Sequence, residues 1–169
     1  MMTPFSDQGL NKTRYTVIPR TLIFVFDHNN RVLLIKGSPQ KKRWAGLYNG
    51  IGGHIETGED VYEAAQRELE EETGLSEIAL DLCGQVMIHG NENTGVALFI
   101  FKGAYTSGII RESQEGELAW IDLSHLEEKS LVEDLRILLP KVASHQSADK
   151  MLIGKYRYTQ ENRLEISIR

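Results

Sequence analysis

Between positions 59 and 72 the chain carries seven acidic residues, Glu59, Asp60, Glu63, Glu68, Glu70, Glu71 and Glu72, against one base, Arg67. The acids at 70–72 fall in the last turn of a predicted helix, just before the stop residue Gly74. That end of a helix is electrically negative and ordinarily favours lysine or arginine. Like-charged neighbours one turn apart, such as Glu68 and Glu72, each cost about 0.2–0.5 kcal/mol. A segment that breaks local rules this consistently points to function. Glu68, Glu71 and Glu72 stand at i, i+3 and i+4, so their carboxylates leave one helix face. Crowded hard oxygen donors suit Mg²⁺, with Mn²⁺ as a substitute, better than zinc or copper. Mg²⁺ commonly completes its shell with water and substrate phosphate.

Upstream lies Gly50-Ile51-Gly52-Gly53, then Gly58. Glycines permit positive φ and close backbone approach. The combined pattern is Gly, five residues, Glu, seven residues, then Arg-Glu-hydrophobic-any-Glu-Glu-any-Gly-hydrophobic. Gly53, Glu59, Arg67, Glu68, Leu69, Glu71, Glu72, Gly74 and Leu75 fill every specified position. The chain therefore resembles the Nudix hydrolases. That resemblance implies an α+β fold, an α/β/α sandwich around a mixed sheet. It implies hydrolysis of a nucleoside diphosphate linked to another group. By motif match the metal ligands are Glu68, Glu71 and Glu72, with the backbone carbonyl of Gly53. Arg67 and Glu59 orient the cluster.

Other positions bear on substrate. The run Tyr48-Asn49-Gly50-Ile51-Gly52-Gly53 looks like the approach to the box in triphosphatases that clear oxidised purine nucleotides. In that branch an asparagine meets the purine edge, which marks Asn49 here, since an amide both donates and accepts. The branch also has paired aspartates two residues after a tryptophan. Here Glu133-Asp134 follow Leu131-Val132, so the acids are approximately kept and the tryptophan is not. An acidic ligand five residues before a tryptophan corresponds to Glu115, counted from Trp120; Glu112 and Glu117 are neighbouring candidates. Tags of other branches are missing: position 91 is asparagine, residues 91–93 are Asn-Glu-Asn, and there is no Gln-Pro-Trp. The expected reaction is nucleoside triphosphate to monophosphate plus pyrophosphate, with an oxidised purine nucleotide such as 8-oxo-dGTP as a candidate. The alternatives are hydrolysis of ADP-ribose or another nucleoside diphosphate derivative, and a non-catalytic Nudix-fold sensor. Isoprenoid diphosphate isomerisation would want an active-site cysteine, whereas Cys83 falls in an expected strand.

The elements that must position these groups follow from periodicity. Residues 15–26 and 31–36 read as a strand hairpin across Asp27-His28-Asn29-Asn30, with an interruption near Pro19. The box helix is predicted over 58–73 with Thr57 as cap, and Val61, Ala64, Ala65 and Leu69 facing the sheet. Strands are expected over 79–89, 96–105 and 118–123. Residues 131–144 have helical spacing with Pro140 as a kink or end. A terminal hairpin is expected over 151–158 and 163–168, with Tyr156 and Tyr158 as packing residues. Residues 1–13 are polar and read as a flexible segment before a single domain, 14–169.

The chain has 169 residues, 41% of them hydrophobic and 25% charged, enough for one domain with a proper core. A net charge of −5 argues against broad nucleic-acid binding. It does not bar a small anionic nucleotide, because a bound cation reverses the local sign. One cysteine, Cys83, rules out an intrachain disulfide and fits a reducing compartment. No run approaches a membrane span or a signal peptide, so a cytoplasmic enzyme, monomer or homodimer, is expected. The basic group Lys41-Lys42-Arg43 sits in a loop, and the five histidines show no zinc spacing.

Overall fold

The computed structural model describes residues 14–39, 44–111, 116–161 and 163–169. The segment 1–13, the basic group Lys41-Lys42-Arg43, and Glu112 and Glu115 lie outside the described residues. The strands are β1 (Thr16–Phe26), β2 (Arg31–Gly37), β3 (Tyr48–Asn49), β4 (Leu80–His89), β5 (Thr94–Ala104), β6 (Gly116–Asp122), β7 (Leu152–Tyr158) and β8 (Leu164–Ile168). The helices are α1 (Val61–Thr73) and α2 (Leu135–Ser144), with a 3₁₀ segment over Leu123–Glu128.

The strands form a mixed sheet in the order β3-β2-β1-β5-β4-β7-β8, with β6 also paired to β2. β1 runs parallel to β5, and β4 parallel to β7; the other pairings are antiparallel. Both faces of β1 are covered, which is why its centre reads as an unbroken apolar run. Leu22 and Phe24 join one core cluster with Leu135, Leu138, Leu139 and Val142 of α2. Ile23 and Val25 join the other with Ala65 and Leu69 of α1. The α+β class and the helix–sheet–helix layering are as expected. No described helix is long and apolar enough to cross a membrane.

Four local expectations need correction. β1 continues through Pro19. Pro19 shares parity with Thr21 and Ile23, whose N–H groups bond Gly53 and Ile51 rather than β5. The missing N–H of proline therefore takes nothing from the parallel ladder. The first two strands touch as a hairpin only at Val25–Leu33 and Phe26–Val32. The main partner of β1 is the distant β5, and β2 pairs along its length with β6. Helix α1 starts at Val61, and its cap is Asp60, not Thr57. Asp60 accepts from the N–H groups of Tyr62 and Glu63 while Glu63 accepts from the Asp60 N–H, a reciprocal capping box. Helix α2 starts at Leu135, because residues 130–132 instead bond to β3: Tyr48 N–H to Ser130 O at 2.8 Å and Val132 N–H to Tyr48 O at 3.0 Å. The terminal β7–β8 hairpin is where periodicity puts it.

Candidate active site

The site grows from α1 and the glycine loop that precedes it. Arg67 is held on all sides. Its Nε and Nη2 donate to the two oxygens of Glu59 at 2.6 and 3.0 Å. Its Nη1 donates to Glu68 at 2.9 Å and Glu71 at 3.2 Å, and Nη2 also reaches the His54 carbonyl at 3.0 Å. A planar five-donor group is suited to this, where a lysine would not be. Glu59 additionally accepts from the Glu56 N–H. The Arg67 guanidinium holds the Glu59 carboxyl down to about 2 and is itself raised. Arg67 therefore ties the loop to the helix and offsets part of the carboxylate repulsion.

The loop is drawn against β1 by Thr21 N–H to Gly53 O at 2.9 Å and by paired bonds between Ile23 and Ile51. Gly52 has φ 136°, and a Cβ there would lie 2.4 Å from the Thr21 carbonyl oxygen, so no side chain fits. At Gly53 the obstacle is functional: a Cβ would lie 2.4 Å from Glu68 Oε1. The Glu68 carboxylate is thus pressed flat onto the Gly53 backbone. Glu72 is only 8% exposed, and its carboxylate accepts from the Gly52 N–H at 3.2 Å. Glu71, its side chain 62% exposed, stands at the open edge. Glu70 points to solvent.

Among the described residues no three His, Cys, Asp or Glu side chains are gathered as a ready-made ion site. Instead Nη1 of Arg67 bridges Glu68 and Glu71. The donors themselves fit a hard divalent cation. They are all carboxylate and carbonyl oxygens, and Glu68 lies against Gly53, where a Cβ would block the approach. The Gly53 carbonyl accepts from Thr21 and keeps a second lone pair.

A cavity of about 250 Å³ opens beside this cluster, with Gly52 and Glu72 in its wall. Its other walls are aliphatic, from Leu22, Ile35, Leu47, Ile88, Val96, Leu98 and Val132. Polar groups are few: Arg20, Thr21, Asn49 and Asp134. The β3 contact with residues 130–132 is what brings Asn49 and Asp134 to the same cavity. Asn49 spends its side-chain oxygen on the Gly50 N–H at 2.8 Å, which leaves its amide hydrogens available. Burial pushes the Asp134 carboxyl upward. Glu133 is exposed and does not line the cavity, and Leu131 is buried in the core.

Three lining residues escape a reading of the sequence. Arg20 on β1 is paired with no carboxylate among the described residues and lies in the same wall as Glu72. Trp44 is 40% exposed and has φ 63°, unusual for a bulky residue. Tyr158 reaches the cavity from β7, where packing alone was expected. Their sequence signals were an arginine in an otherwise apolar strand, an aromatic in the loop before the glycine run, and a tyrosine at the end of a strand stripe. Cys83 lies apart: it is fully buried, donates to Ile100 O at 3.3 Å, and burial raises its thiol to about 11. It is a core residue, as expected.

The family model for the NUDIX domain matches residues 17–142. The oxidized purine nucleoside triphosphate hydrolase of Danio rerio is 35% identical over 107 residues, 63% of this chain and 67% of that protein. The crystal structure of the mutator MutT protein from Bacillus halodurans superimposes with a TM-score of 0.75 at 26% identity, covering 90% of this chain and 97% of that one. The NUDIX domain of Shewanella oneidensis NrtR, in a cocrystal with ADP ribose, gives 0.68 at 16% identity, covering 83% and 96%. At that identity the likeness is one of fold.

Proposed function

Because this chain belongs to the Nudix family of pyrophosphohydrolases, we propose that it hydrolyses a purine nucleoside triphosphate, with an oxidised purine preferred, to the monophosphate and pyrophosphate. One observation carries this reading: the mostly apolar cavity bearing Asn49 and Asp134 shares a wall with the glutamate cluster through Gly52 and Glu72. A base in that cavity puts its phosphates next to the carboxylates. The named activity of the Danio rerio relative supports the choice of substrate.

Glu68, Glu71, Glu72 and the Gly53 carbonyl would hold the divalent cations that Nudix hydrolases generally use. Bound there, such an ion neutralises phosphate charge and lowers the pKa of a water. The protein's own part is positional. Arg67 and Glu59 fix the carboxylates in register with the glycine loop. Arg20 supplies positive charge at the cavity wall for the phosphate chain. Water adds to one phosphorus, the P–O bond to the bridging oxygen breaks, and a glutamate of the cluster accepts the water's proton. Asn49 and Asp134 hold the base edge, while the aliphatic walls exclude water from it. Glu115, outside the described residues, is a further candidate ligand, and Mn²⁺ titration of Glu115→Gln tests it.

The test is a panel of nucleotides with Mg²⁺, its products separated by chromatography. Release of monophosphate and pyrophosphate, with oxidised purines leading, supports the proposal. Turnover confined to ADP-ribose redirects it, and no turnover of any nucleotide removes it.

A further inference from the structure

β7 lies beyond the residues matched by the family model, yet it reaches the cavity. Its parallel register against β4 sets Tyr156 opposite Ile88, which is itself a lining residue. Tyr156 and Tyr158 share strand parity, so they stand on one face. Tyr158 lines the cavity, while Tyr156 lies deeper and is only 1% exposed. The Tyr156 hydroxyl has no well-formed hydrogen bond among the described residues. A buried hydroxyl in that condition is costly, and phenylalanine would fill the same space without it.

The polar group that Tyr156 approaches is the carboxyl of Asp134. Asp134 is 9% exposed and occupies the N-cap of α2, but makes no side-chain bond to that helix. An aspartate there ordinarily caps. This one lines the cavity and faces Tyr156 instead. A buried carboxyl and a buried phenol, neither committed to the backbone ladder around it, meet under the same cavity. Burial and the neighbouring Asp134 charge both raise the Tyr156 phenol, which keeps it a donor.

We propose that Tyr156 is a positioning residue whose hydroxyl donates to the Asp134 carboxyl when a nucleotide is bound, fixing the orientation in which Asp134 meets the base. This rests on the reading that the cavity takes the base. The C-terminal hairpin thereby contributes to specificity from outside the residues that the family model matches.

The test combines Tyr156→Phe, Asp134→Asn and the double variant, assayed with Mg²⁺ on the preferred nucleotide and on one with a different base. Tyr156→Phe should raise KM for the preferred nucleotide about tenfold, with kcat little altered, and narrow the gap between the two bases. Its melting temperature should be little changed, since the buried hydroxyl that is removed makes no well-formed hydrogen bond before nucleotide binds. In the Asp134→Asn background the same change should move KM by less than about twofold, because the tyrosine acts through the aspartate. An unaltered KM in Tyr156→Phe, or single effects that multiply in the double variant, would overturn the proposal and leave Tyr156 a packing residue. If the unaltered chain turns over no nucleotide, the reading of the cavity fails first and this proposal falls with it.

Discussion

The glutamate cluster and the cavity beside it are built by opposite means. The cluster comes from one contiguous stretch, loop 50–58 and helix α1, and is locked internally by the Arg67 network. The cavity is assembled from β1, β2, β3, β4, β5, β7 and the segment before α2, with few polar groups and little internal bonding. A rigid reaction module next to a loosely specified pocket is how one chemistry serves different substrates. The two regions should therefore respond to mutation differently: the cluster through kcat, the cavity through KM and base preference.

The largest effect is expected in the cluster. Glu72→Gln or Glu71→Gln should lower kcat by orders of magnitude, each tenfold being about 1.4 kcal/mol. Steady-state kinetics on protein with an intact circular dichroism spectrum checks this, and near-normal turnover in both would break the contrast. Gly53→Ala comes next. The added methyl collides with the Glu68 carboxylate, and misplacement on that scale should cost about a hundredfold in kcat. Activity close to the parent would mean that Glu68 need not lie against the loop.

On the cavity side, Asn49→Ala and Asp134→Asn should raise KM about ten- to a hundredfold and flatten base preference, as expected for losing a buried polar contact. A pure kcat loss in either would erase the distinction between the two regions. Asp60→Ala removes the helix cap alone. It should cost about 1 kcal/mol, lowering the melting temperature by about 2–4 °C without altering base preference.

The smallest expected effect is electrostatic. Arg67 holds Glu59 at about 2 against an ordinary 4.5. Because the folded value is the lower, the Glu59 contribution is complete above about 4.5 and is lost as pH falls towards about 2. Urea midpoints across that window should fall more steeply for the parent than for Glu59→Gln. Parallel curves would show that this pair does not stabilise the fold.

The same contrast explains what could be read from the chain alone. The cluster was legible because helical spacing is local: i, i+3 and i+4 put carboxylates on one face whatever the rest of the fold does. The cap was misplaced because Thr57 is as good a candidate as Asp60 until Glu63, three residues on, is seen to close a capping box. Strand positions were legible from alternation, but partners were not. Nothing local says that β1 pairs in parallel with β5, so only its short hairpin with β2 could be read. Asn49 and Asp134 could be named by resemblance, whereas their meeting depends on the contact between β3 and residues 130–132. Arg20 was missed, and Tyr158 was read as packing alone, for the same reason, since their places at the cavity exist only once distant strands are in register.

The central claim is that the carboxylates after Arg67 tolerate one another because they take up divalent cations together with a phosphate-bearing nucleotide. Calorimetric titration of Mn²⁺ into the folded protein, with and without a slowly hydrolysed nucleotide, tests this most directly. Saturable binding that tightens with nucleotide and is weakened in Glu72→Gln is the predicted result. No uptake in either condition, or identical uptake in Glu72→Gln, would contradict it.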